Sequence, residues 1–233
     1  MASELPNERR IEILETAAKL ICENGYSGTS IQDISGALKL TKAGLYHHIR
    51  SKEHLLLEIM HYGMDQFEEQ VLSQVMSIED PVERLKVCME KNILLVTSGW
   101  STAVTIILHE HNTLTGEFGA QINARKKRYV RFLEESFSEA MRKKQIRRVN
   151  PKVAAFSFLG MVLWIYKWFR HDGSLSEKKV VDEMIDLLFG GLETTRAKSK
   201  ATKKKVSKKR PTRASQKRPK STRGGVDSPR RRR

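Results

Sequence analysis

From residue 9 to residue 193, apolar side chains recur every three or four positions, proline and glycine are scarce, and no stretch alternates as a strand would. That period matches the α-helical turn, so these side chains are buried as stripes on packed helices. Ile11, Leu14, Ala17, Ala18 and Ile21 form the first stripe, and Gly25 stands at a helix stop. Ser30 precedes Ile31, Ile34 and Leu38, and Asp33 three residues on makes a capping box with Asp in place of Glu. Thr41 opens a short segment to Ile49, and Ser51 caps a helix striped by Leu55, Leu56, Ile59, Met60, Met64 and Phe67.

Asp80-Pro81-Val82-Glu83 is a helix start, with a capping acid, proline at the first helical position and an acid in the first turn. The pattern then predicts helices over 81–98, 101–111, 116–144, 150–171 and 176–190. The expectation is an all-α chain of nine helices.

Charge divides the chain unevenly. Of 43 Lys and Arg residues, eighteen fall between 196 and 233, where Asp227 is the only acid, so this end carries +17. Residues 1–195 hold 25 basic and 26 acidic residues and are nearly neutral. Any nucleic-acid binding by that part depends on where charges are placed, not on how many there are. The basic end has too few apolar residues to offset its ordering entropy and is expected to be disordered. Cys22 and Cys88 make neither a disulfide framework nor a thiolate metal site, and the polar start has no signal-peptide core. The most apolar stretch, 153–169, is short for a membrane span and contains Lys167. A reducing cytoplasm, at the nucleoid, is the expected location.

Residues 31–55 carry the functional signal. Two short helices joined by a tight turn at Lys39-Leu40 have helix-turn-helix spacing, with Ile31, Ile34, Leu38, Leu40, Leu45 and Ile49 facing inward. Thr41, Lys42, Gly44, Tyr46, His47 and Arg50 are left outward on the second helix, which suits insertion into a major groove of double-stranded DNA. A plain helical corner explains the apolar residues equally well, but not Tyr46, His47 and Lys52 together on the exposed side.

Gly25-Tyr26, Thr29-Ser30-Ile31-Gln32-Asp33-Ile34, Leu45-Tyr46-His47-His48-Ile49 and Ser51-Lys52-Glu53-His54-Leu55 together resemble the tetracycline-repressor-like (TetR-type) regulators. The resemblance implies a helix-turn-helix domain over 1–52, a ligand-sensing and dimerisation domain over 53–195 and, beyond the family pattern, a basic tail over 196–233. It implies base contacts at Lys42 and Gly44 and base or phosphate contacts at Tyr46 and His47. Lys52 and Ser30 match phosphate-contacting positions, Gln32 one that can reach the groove, and Thr41 opens the recognition helix. Three positions depart from the usual pattern: Lys39 stands for a turn glycine, Leu38 for a small alanine and Ile49 for a phenylalanine.

In the resembled family the last two helices of each subunit form a four-helix dimer interface. Here they correspond to about 151–171 and 176–190, and the first is apolar nearly all round, as a helix covered on every side would be. A monomer's central helix reads the same way. The family's effector cavity lies among the middle helices, so Met60, Met64, Phe67, Leu95, Trp100, Ile107, His109, Phe118 and Trp164 are candidate lining residues, or else ordinary core. Trp164-x-Tyr166-Lys167-Trp168-Phe169-Arg170, followed by Asp172-Gly173, resembles a subgroup tied to fatty-acid or sterol breakdown. That subgroup senses acyl-CoA thioesters, whose phosphates Arg125, Lys126, Lys127 and Arg128 could meet, unless they form a solvated face.

No catalytic motif, cofactor site or metal site is expected. His109 and His111 lie two apart, which on a helix turns them about 200° from one another. The expected function is a DNA-binding regulator, a repressor released from a palindromic operator by a small ligand. The rivals are an architectural DNA protein acting through its tail, whose lysine runs resemble linker-histone arms, and a helical enzyme or carrier.

Overall fold

The computed structural model describes residues 5–97, 102–110 and 112–192; Trp100, His111 and the basic segment 196–233 lie outside the described residues. Every element among them is helical. Helix α1 (Leu5–Gly28) loses its helical geometry at Gly25, whose φ of 76° and ψ of 159° suit a residue without a Cβ. α2 (Ile31–Ala37) starts at the foreseen box: Ser30 Oγ accepts from Asp33 N at 3.1 Å, and Ser30 N donates to the Asp33 carboxylate at 2.7 Å. Lys39 makes the turn at φ 55°, a left-handed conformation that costs a side-chain-bearing residue roughly 1–2 kcal/mol.

α3 (Lys42–Tyr46) is shorter than the 41–49 segment read from the sequence. His48 N bonds back to Leu45 O at 2.9 Å, a tightened turn that ends the helix before Ile49 drops into the core. α4 (Lys52–Phe67) runs on into a π-helical turn, Glu68–Leu72, and a last α-turn, Ser73–Val75. α5 (Pro81–Thr97), α6 (Thr102–His109) and α7 (Gly116–Arg142) follow.

α8 (Pro151–Leu163) does not reach residue 171 as one helix; it breaks at Trp164, and a short turn, Ile165–Trp168, follows. Lys167 N bonds to Trp164 O at 3.1 Å there, and the break leaves Ile165 fully buried while Trp164 is 62% exposed. α9 (Glu177–Leu192) closes the set. The nine helices counted from periodicity are thus the nine observed among the described residues, when the turns continuing α4 and α8 are taken with their parent helices.

Two cores hold the molecule. One joins α1, α2 and α3 to α4 as far as Met64, and it also takes in Ala103, Ile106 and Ile107 of α6 and Ile122 of α7. The other packs Val71 and Val75 with α5, the rest of α7, α8 and α9. α6 is the main element of the second half that lies against the first, packed on both α1 and α4, with the start of α7 beside it on α4. At its crossing with α4 the two backbones nearly touch at Gly63.

Candidate nucleic-acid interface and effector core

The first site is an edge built from three capped helix starts. Ser30, Thr41 and Ser51 cap α2, α3 and α4, each hydroxyl oxygen accepting from the amide three residues on at 3.0–3.1 Å. The Ser30 hydroxyl also meets the Asp33 carboxylate, and a helix start favours an anion. Gln32 and Lys42 are exposed beside them, as are Tyr46, His47, His48 and Arg50 around the end of α3. Leu45, fully buried, anchors this five-residue helix to the core so that its other faces remain outward. Gly44 is half-buried against the Thr41 cap, where a Cβ would lie 3.2 Å from Thr41 Oγ1.

Lys52 is placed differently from the freely exposed lysine read from sequence. Its Nζ donates to Tyr26 O at 2.5 Å and stands over the Tyr26 ring, 4.2 Å from the centroid. The ammonium group retains two further donors while its position is fixed by the end of α1.

The candidate effector residues do not gather in one place. Met60, Met64 and Ile107 are buried in the first core, whereas Leu95 is buried in the second. Phe67 packs against the second core and meets the Tyr129 ring edge-on at 4.6 Å between centroids. His109 meets the Tyr166 ring at 4.8 Å, and Phe118 lies edge-on to His54 at 5.9 Å, next to the first core. Burial, then Lys167, keep the His109 imidazole below its ordinary pKa. Trp164 points to the outside of α8.

Sequence reasoning missed a polar knot inside the second core. The Asn92 side-chain amide donates to Cys88 O at 2.7 Å and to the Tyr129 hydroxyl at 2.9 Å, and Cys88 Sγ lies 3.4 Å from that hydroxyl. Burial pushes the Cys88 thiol up to about 11 and the Tyr129 phenol well above its usual range, so both stay neutral and able to donate. Asn92, Cys88 and Tyr129 thus form a small polar cluster among apolar side chains, with the Phe67 ring edge-on to Tyr129, and a few polar groups in an apolar lining are the usual make-up of a ligand site. The only sequence signal was Asn92 on the inner stripe of α5.

The basic run on α7 is only partly free. Arg125 bridges Asp65 at 2.8 Å and Glu68 at 2.9 Å, clasping the π-helical turn that continues α4. Lys126 donates to Ile107 O near the end of α6 at 3.3 Å, and burial holds its pKa down. Arg128 is mostly exposed, 3.5 Å from Glu68. Among the described residues no group of three or more His, Cys, Asp or Glu is placed to hold a metal ion, and no helix is long and apolar enough to cross a membrane.

Comparison with known proteins bears on both halves. The profile of bacterial regulatory proteins of the tetR family matches residues 13–59, and that of the tetracyclin repressor-like C-terminal domain matches residues 79–192. The crystal structure of AibR in complex with isovaleryl coenzyme A and operator DNA is similar at 64% identity and a TM-score of 0.77, covering 78% of this chain and 98% of that one. PfmR of Thermus thermophilus, a TetR family transcriptional regulator, is 32% identical, with a TM-score of 0.70 over 78% of this chain and 99% of that one. The transcriptional repressor KstR2 of Mycobacterium tuberculosis is 22% identical over 187 residues, 80% of this chain and 94% of the repressor. This chain therefore belongs to the tetR family of bacterial regulatory proteins and is a DNA-binding transcriptional regulator.

Proposed function

We propose that this protein is a homodimeric repressor that holds a palindromic operator and leaves it when a short acyl-coenzyme A thioester binds. The observation that carries the reading is the 64% identity to AibR across nearly the whole of that chain, whose crystal structure holds both isovaleryl coenzyme A and operator DNA. The geometry agrees with it. Three capped helix starts, with Lys42, Tyr46 and His47 exposed between them, form an edge that meets phosphate at Ser30, Thr41 and Lys52. Lys42 and Gly44 then face base edges, with Gln32 at the rim of the groove. Such a regulator works in the cytoplasm, on the nucleoid.

The dimer reading rests on one stripe. Val153, Phe156, Gly160 and Trp164 recur along α8 at helical spacing and point outward, Phe156 51% exposed and a Cβ on Gly160 meeting nothing within 4 Å. Leu187 on α9 is 74% exposed. Two copies sharing this face bury it and set their α3 helices about 34 Å apart, one turn of DNA. The effector lies in the second core around Phe67, Asn92 and Tyr129, with His109 near its edge and Arg128 and Lys127 available to its phosphates. A ligand releases the operator only through its preference for the conformation that fits DNA less well.

The test is binding of the full chain to its own upstream DNA against scrambled competitor, at near-physiological salt, with and without isovaleryl coenzyme A. Preference for one palindrome, weakened by the thioester, is the expected result. Binding without sequence preference would move the function to the basic segment 196–233 and to an architectural role.

A further inference from the structure

α6 ends at His109, and the next residue reaches back into the DNA-reading half. Glu110 Oε1 accepts from Tyr26 N at 3.1 Å, and its Oε2 accepts from the Thr113 hydroxyl at 2.5 Å. The break at Gly25 turns the Tyr26 amide away from the helix it follows, which is why an outside acceptor is needed. The other side of the same residue is occupied by Lys52, whose Nζ is hydrogen-bonded to Tyr26 O and stands over its ring. Tyr26 is thus gripped between a carboxylate of the effector half and the lysine that starts α4.

Glu110 is itself held by the effector half. Its own amide closes the last turn of α6 on Ile106 O at 2.9 Å. Lys126 of α7 caps that end at Ile107 O, and His109 packs on Tyr166 in the turn after α8. A shift of α7 or of the turn after α8 around an effector thus pulls on the end of α6 through Lys126 and His109, and the carboxylate moves with it.

We infer that Glu110 is the positioning residue through which the effector half sets Tyr26 and Lys52, and with them the placement of the DNA-reading head. The inference rests on the proposed reading of a repressor released by a thioester. The Glu110–Tyr26 bond crosses between the two halves and ends at a residue that fixes a DNA-facing lysine, so its effect appears in operator affinity and in its response to effector.

The experiment compares wild type, Glu110→Ala, Glu110→Gln and Thr113→Val by operator-binding anisotropy, with and without isovaleryl coenzyme A, and by thermal melting. Glu110→Ala is expected to weaken operator binding about tenfold, the worth of one hydrogen bond to a charged group, and to bring the ratio of affinities without and with effector toward one. Glu110→Gln keeps a carbonyl oxygen for the Tyr26 amide and restores most of both. Thr113→Val frees one carboxylate oxygen without touching Tyr26 and gives a smaller change in the same direction, which keeps the test open should the alanine variant not fold. A Glu110→Ala protein that melts lower yet keeps the wild-type ratio, or a glutamine variant no better than alanine, overturns the inference. A wild-type protein that ignores operator or thioester overturns the proposed function, and this inference with it.

Discussion

Gly63 of α4 meets the backbone of Ala103 in α6 with no room for a side chain: a Cβ on the glycine would stand 2.8 Å from the Ala103 carbonyl carbon and oxygen and 3.0 Å from Val104 N. The obstacle is main chain, so no rotamer can move aside. α4 carries the DNA-reading head and α6 carries Glu110, so this contact is where the two levers cross.

Gly63→Ala places two effects in opposition. Alanine favours a helix interior over glycine by about 1 kcal/mol, whereas overpacking at such a contact costs roughly 1–3 kcal/mol. With backbone as the obstacle the second wins, and the variant is expected to melt below wild type. A higher melting temperature would show that α4 and α6 part freely, and the crossing would lose its role as a pivot.

Lys39 gives the opposite expectation. Its φ of 55° costs a side-chain-bearing residue roughly 1–2 kcal/mol, while glycine there costs about 0.5–1 kcal/mol of extra unfolded-state entropy. Lys39→Gly should therefore stabilise the fold by about 0.5 kcal/mol in a denaturant melt with unchanged m-value. A loss of stability would mean that the lysine side chain makes a compensating contact of its own.

What could be read from the sequence and what could not differ for physical reasons. Helix starts were legible because a cap is a local matter: Ser30 with Asp33, Thr41, Ser51, and Asn150 with Pro151 each satisfy amides two or three residues away. The end of α8 was not, because Trp164 is neither glycine nor proline, and the break there goes with burial of Ile165 in the second core. The edge around α3 followed from a motif that fixes both what is buried and what is left outside. The effector residues did not, since Met64 and Phe67 sit three apart on continuous helix yet pack into different cores. Lys52 was legible as an exposed charge and not as the partner of Tyr26, a contact twenty-six residues away.

Asp33 supplies a pH signature. Its hydrogen bonds from the Ser30 hydroxyl and then the Ser30 amide hold its carboxyl below the usual value of 3.8. A carboxylate so depressed contributes stability that is fully present above its unfolded-state pKa and is lost as pH falls through the folded one. The melting-temperature gap between wild type and Asp33→Ala should be constant near neutrality and shrink only below about pH 4. A gap already narrowing at pH 6 would place the contribution elsewhere.

The outward stripe of α8 and α9 makes a sharper claim. Replacing Phe156 or Leu187 by glutamate sets a charge in the face proposed to pair, while neither side chain is needed to fill the monomer's core, both being mostly exposed. Sedimentation should then show monomers with an unchanged helical spectrum. Operator affinity should fall by about two to four orders of magnitude, since two linked heads bind as one unit and a single head does not. Intact dimers of both variants would place the interface on another face.

The basic segment 196–233 is testable through salt. Eighteen Lys and Arg residues against one acid bind phosphate irrespective of sequence, and each phosphate neutralised adds about 0.9 to the slope of log affinity against log salt. A protein ending at residue 195 should therefore bind scrambled DNA more weakly and with a shallower slope. Its preference for the operator over scrambled sequence should be preserved or increased, because the head's contacts with base edges remain and the competing nonspecific contribution is gone. Equal slopes for the two proteins would mean that the segment stays off DNA, and that the head alone supplies both affinity and specificity.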